Sequence, residues 1–103
     1  MNKRLAFLEQ TTRAGNADSF AWYGLALEYR KEQRWDDALG AFRALRDKDA
    51  GYLAMYLMAG QTLLEAGRPA DAKEWLEAGI KLARERSDGK ALGELESALA
   101  EIG

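Results

Sequence analysis

The chain has 103 residues, 48% of them apolar and 31% charged, with 15 Lys plus Arg against 17 Asp plus Glu for a formal charge of −2. That length suits one domain, the balance argues against disorder, and the charge is too small to steer the chain onto nucleic acid or an anionic membrane. Cysteine and histidine are absent, which removes disulfides, thiolate or imidazole metal sites, and catalysis by either residue.

The opening Met1-Asn2-Lys3-Arg4, followed by Leu5-Ala6-Phe7-Leu8, has the charge order of a secretory signal. Its apolar run stops at Glu9, too early for the apolar region of such a signal. No stretch approaches the roughly 20 apolar residues of a membrane span. A cytoplasmic protein is expected.

Residues 3–14 read as a first helix, with Leu5, Leu8 and Thr12 at helical spacing and Gly15 as the left-handed residue that ends it. Asn16-Ala17-Asp18-Ser19 is a turn with N-cap chemistry. The helix that follows, about 19–32, puts Trp22, Leu25, Ala26 and Tyr29 on one face. Gln33-Arg34 is the tight connection to a helix over about 35–48, whose first turn carries Asp36 and Asp37 where the helix dipole favours negative charge. Ala38, Leu39, Phe42 and Leu45 form its apolar stripe, and so short a connection forces the two helices to run antiparallel.

Asp47-Lys48-Asp49-Ala50-Gly51 leads to a helix over about 52–66 bearing Tyr56, Ala59, Gly60 and Leu63, closed by Gly67. Pro69 then stands in the first turn of the next helix, where a missing amide hydrogen costs little, and Ala72, Leu76 and Ile80 line it. It runs on to about Arg86. Ser87-Asp88-Gly89 breaks it and caps a last helix, about 88–102, with Leu92, Leu95, Leu99 and Ile102 on one side.

Laid over one another at an offset of 34, Trp22, Leu25, Ala26, Tyr29, Ala38 and Phe42 meet Tyr56, Ala59, Gly60, Leu63, Ala72 and Leu76, each pair alike in kind. A fixed period of that length marks a helix hairpin repeated and stacked. The spacing Trp22-x2-Leu25-Ala26-x2-Tyr29, then Ala38-x3-Phe42, resembles the tetratricopeptide repeat. The resemblance implies an all-α fold of about six helices, antiparallel hairpins stacked as a short α-solenoid with the family's right-handed superhelical turn. It divides a single domain, 1–103, into a packing helix at 3–14, a first repeat at 19–50, a second at 53–86 and a capping helix at 88–102. Ala50 and Arg84 stand where the family usually has proline, and Leu45 where it usually has a small residue. A third register fails at Lys90 and Ser97, so the last helix is read as a cap.

Little else points to chemistry. Asp36-Asp37 and Asp47-x-Asp49 sit at helix ends among mixed charges, with no calcium-type loop following either. The ten glycines are scattered singly and cradle no phosphate, and Ser19, Ser87 and Ser97 have no histidine to activate them. Arg30-Lys31-x2-Arg34-Trp35 is the nearest approach to a nucleic-acid footprint, but Glu28, Glu32, Asp36 and Asp37 cancel most of its field. No enzyme site and no cofactor are expected.

In tetratricopeptide proteins the first helix of each hairpin lines a concave groove that receives peptides or helices of partner proteins. Carried over by position, that side would be Phe20, Tyr23, Leu27, Arg30 and Lys31 in the first copy, and Ala54, Leu57, Gln61, Leu64 and Glu65 in the second, with Tyr23, Leu27, Leu57 and Met58 edging the groove. Chaperone-binding relatives grip a terminal carboxylate with lysines and asparagines, whereas Tyr23, Leu27 and Met58 occupy the matching places here. The groove implied would suit the apolar face of a helix or an extended apolar segment. A protein partner is therefore expected, with self-association through the same groove, as a weak homodimer, the alternative.

Overall fold

The computed structural model describes residues 2–15 and 17–102; Asn16, placed above in the turn before the second helix, lies outside them. Six helices follow in chain order: α1 Lys3–Arg13, α2 Ser19–Lys31, α3 Trp35–Lys48, α4 Leu53–Glu65, α5 Pro69–Glu85 and α6 Gly89–Ala100. Among the described residues there is no strand, and the fold is all-α. The helices fall into two compact units, Met1–Ala50 and Gly51–Gly103.

Short polar side chains open three of the helices. Asn2 Oδ1 accepts from the Leu5 amide at 3.0 Å, Asp18 Oδ1 from Ala21 at 2.9 Å and Asp88 Oδ1 from Ala91 at 3.0 Å. Each satisfies an amide that has no partner inside its helix. At α5, Pro69 occupies the first turn.

Three helices end in the same way. After α2 the Gln33 amide donates to the Arg30 carbonyl and the Arg34 amide to Tyr29, both at 2.9 Å. Gly67 and Arg68 repeat this after α4, onto Leu64 and Leu63, as do Ser87 and Asp88 after α5, onto Arg84 and Ala83. This paired closure needs a left-handed residue, and φ is +59° at Gln33, +76° at Gly67 and +54° at Ser87. Only Gly67 adopts it without a steric penalty.

In the first unit α1 runs antiparallel to α2. Arg4 meets Glu28, and a β-carbon added at Gly24 would lie 3.7 Å from Leu8, so low numbers in α1 face high numbers in α2. Leu5, Leu8 and Thr12 are buried on α1, Leu25 and Ala26 on α2, and Ala38, Leu39, Phe42 and Leu45 on α3. Trp22 and Tyr29, expected in the same stripe, are only half-buried.

In the second unit the helices approach more closely. A β-carbon at Gly60 would overlap Leu76, and one at Gly79 would fall 2.6 Å from Tyr56 Cβ and 2.9 Å from Leu95 Cδ2. Without side chains, Gly60 and Gly79 let α4 and α5 touch, and Gly79 lets α6 seat Leu95 beside it. Tyr56, Ala59, Leu63, Ala72, Leu76 and Ile80 are all buried, and the Tyr56 and Trp75 rings lie 6.0 Å apart, tilted by 47°. Such tilted aromatic pairs add to the stabilisation from area alone.

Candidate protein-interaction surface

On α2 the side turned away from Leu25 and Ala26 carries Phe20, Tyr23, Leu27, Arg30 and Lys31. Tyr23, Leu27 and Arg30 recur at i, i+4 and i+7, and therefore share one line along the helix. All three are half-buried, Lys31 is exposed, and Phe20 is 67% exposed. A phenylalanine that open to water is unusual, since full burial of such a side chain is worth about 2–3 kcal/mol.

On α4 the corresponding side carries Leu57, Met58, Gln61 and Leu64, all half-buried, with Ala54 and Glu65 exposed at its ends. Leu57, Gln61 and Leu64 again stand at i, i+4 and i+7. The Thr62 hydroxyl donates to the Met58 carbonyl at 2.7 Å, which satisfies a buried polar group within its own helix. The terminal helix borders this side: Gly93, Glu94 and Ser97 of α6 form an open cleft with Leu57 and Gln61. Part of the α4 surface is thus walled by α6, while Leu57 and Gln61 still line its opening.

The polar chemistry of the first unit lies elsewhere, between α1 and α2. Glu28 is buried, and its carboxylate is held by Arg4 Nε at 3.0 Å and Asn2 Nδ2 at 3.1 Å. Next to it, the Tyr29 hydroxyl donates to Glu9 Oε2 at 2.6 Å. Burial first, and the Glu9 carboxylate second, push the Tyr29 hydroxyl up to about 12, so it stays neutral and a donor. The Arg34 guanidinium rests 4.7 Å from the Tyr29 ring centre and pairs with Asp37 at 2.9 Å, a bond that strengthens its hold on its proton. Glu28 with Arg4 and Asn2, and Tyr29 with Glu9, fasten α1 to α2; in the sequence Glu28 reads only as a charge offsetting the nearby basic cluster, because its partners lie 24 and 26 residues away with no periodic signal linking them.

Asp49, one of the helix-end carboxylates, accepts a hydrogen bond from Ser19 Oγ at 2.9 Å and so ties the start of α2 to the end of α3. Among the described residues no cluster of three His, Cys, Asp or Glu side chains could hold a metal ion. No described helix is long and apolar enough to cross a membrane.

Comparison with known proteins gives this arrangement a context. The family model described as tetratricopeptide repeat matches residues 29–95. A solution structure of a protein from Bordetella parapertussis superposes with a TM-score of 0.83 at 27% identity, covering 99% of this chain and 89% of that one. The crystal structure of a tetratricopeptide repeat domain protein from Salinibacter ruber gives 0.74 at 32% identity over 84% of this chain and 96% of that one. A solution structure of a tetratricopeptide repeat domain protein from the same organism gives 0.75 at 33%, over 82% and 86%. No curated protein matches the chain.

Proposed function

Because this chain belongs to the tetratricopeptide repeat family, whose domains generally mediate contacts between proteins, we propose that it holds a segment of another protein and performs no chemistry of its own. The partner engages the α2 surface at Phe20, Tyr23, Leu27, Arg30 and Lys31, and the α4 surface at Leu57, Met58, Gln61 and Leu64. The reading treats 19–50 and 53–86 as the two repeats, with 3–14 and 88–102 as the flanking helices, all in one cytoplasmic adaptor or scaffold domain.

One observation carries the reading. On α2 and α4 the sides opposite the buried stripe are themselves apolar and left half open, with Phe20 protruding. Apolar side chains left open along one side of a helix are characteristic of interaction sites. Its composition favours an apolar helix face or extended apolar segment over a carboxylate terminus, because Tyr23, Leu27 and Met58 provide no cation at the places where carboxylate-binding relatives have one.

The test is affinity capture from the protein's own cell extract, wild type against the double variant Tyr23→Ala, Leu57→Ala. The variant should lose the captured partner while its far-ultraviolet circular dichroism stays unchanged. Retention of every partner by a folded double variant would remove the assignment of these surfaces.

A further inference from the structure

The α4 surface continues onto α6. Helix α5 has 17 residues where α3 has 14, and α6 resumes the repeat at an offset of 36 in place of 34. At that offset the buried Leu95 answers the buried Ala59. On the other side Gly93, Ser97 and Glu101 answer Leu57, Gln61 and Glu65. Gly93, Ser97 and Glu101 do line one open cleft with Leu57 and Gln61, of about 720 Å³. A β-carbon at Gly93 would meet nothing within 4 Å, so this wall of the cleft leaves room for an incoming side chain.

The charge of the cleft comes from α6, since Leu57 and Gln61 are neutral. Two carboxylates, Glu94 and Glu101, line it against one cation, Lys90. All three are exposed, and among the described residues none is ion-paired. Lys90 stands one turn before Glu94 and offsets one carboxylate at most. Glu101, at the C-cap, keeps helical angles of φ −68° and ψ −19°. Seven positions of helical rise therefore set the two carboxylates about 10 Å apart. That is too far to share one metal ion, and it matches two basic side chains two turns apart on another helix.

We propose that the segment received here is a helix with one apolar side flanked by lysines or arginines seven positions apart. Its apolar side chains rest on Leu57 and fill the space over Gly93, and its cations meet Glu94 and Glu101. The α2 surface, with Arg30 and Lys31, has the wrong sign for this segment, so the basic stretch belongs to α4 and α6. The proposal rests on the α4 surface being a partner site, and adds α6 as a second wall and the sign of the partner's charge.

Nuclear magnetic resonance titration of the isotope-labelled full chain tests this. The probes are synthetic amphipathic helices that share their leucines and carry lysine, glutamine or glutamate at two positions seven apart. The lysine peptide should shift the amides of Leu57, Gln61, Gly93 and Ser97 and bind about tenfold more tightly than the glutamate peptide. Added salt should narrow that difference. Glu94→Lys with Glu101→Lys should reverse the order of the peptides; both positions are exposed, and the dispersion of the spectrum verifies folding. Equal binding of the lysine and glutamate peptides at these amides, or an order untouched by the reversal, would overturn the charge assignment and leave the α4 surface standing. No shift at Leu57 or Gln61 with any peptide would overturn the proposal too, and the capture experiment with Tyr23→Ala, Leu57→Ala then decides the α4 surface separately. Shifts of the same amides with protein concentration alone would make a second copy the occupant and overturn it as well.

Discussion

The two copies of the hairpin share a plan and solve its packing differently. At position 26 of the first copy a buried alanine answers Phe42; at the equivalent position in the second, Gly60 admits Leu76 so closely that a β-carbon would collide with it. Leu45 fills the first copy where Gly79 opens the second to Tyr56 and Leu95. Glu28 and Tyr29, which bind α1 through Arg4, Asn2 and Glu9, become Thr62 and Leu63, both buried. The neighbouring helix explains the contrast. In the first copy α2 is joined by α1 through charge and hydrogen bonds as well as leucines. In the second, α6 inserts Leu95 into space that Gly79 leaves. A repeat thus conserves where helices meet, while the helix beside it decides whether the meeting is polar or apolar.

The largest expected effect tests the part that both copies share. Phe42→Ala, at a fully buried position, should cost about 3–5 kcal/mol through lost transfer energy and the cavity left behind. That is much of a small domain's total stability, and urea unfolding would measure it; a loss below about 1 kcal/mol would mean that Phe42 is not the plug of its hairpin.

A smaller effect separates the copies. Gly60→Ala should destabilise by about 1–3 kcal/mol by overpacking, because Leu76 is buried and has little room to withdraw. The reverse exchange, Ala26→Gly, should cost about 0.5–1 kcal/mol from helix propensity and lost methyl packing. Similar losses from both would erase the distinction drawn between the two packings.

The smallest concerns the turns. Gln33 holds φ at +59° where its counterpart Gly67 holds +76°. Gln33→Gly should therefore stabilise by up to about 1 kcal/mol, as the relief of left-handed strain exceeds the added entropy of the unfolded chain. Gly67→Ala should destabilise by a comparable amount. Thermal melts of the two variants should move in opposite directions, and a shift of both the same way would show that the closures are not equivalent.

Helices and their buried stripes are legible from local signals. Period and capping alone locate the six helices to within a residue or two at most ends, because both act within one or two turns of chain. The 34-residue offset likewise brings Tyr56 and Leu76 into the interior along with Phe42. The proposed partner surfaces come from the family resemblance, carried over by position, and coincide with the sides opposite those stripes. That α6 walls part of the α4 side at Leu57 and Gln61 was not, since no local pattern says which face a following helix will cover.

What the amino-acid order determined by itself is the number of helices, the repeated hairpin and the identity of most buried residues, for these depend on spacing along a single helix. Only the tertiary structure decided that Glu28 is buried beneath Arg4 and Asn2, that Trp22 and Tyr29 remain half open, and that Gly60 and Gly79 are points of near contact. Each of these depends on which side chain arrives from another helix. A charge or a missing methyl group reads the same along the chain whether water or a neighbour lies against it.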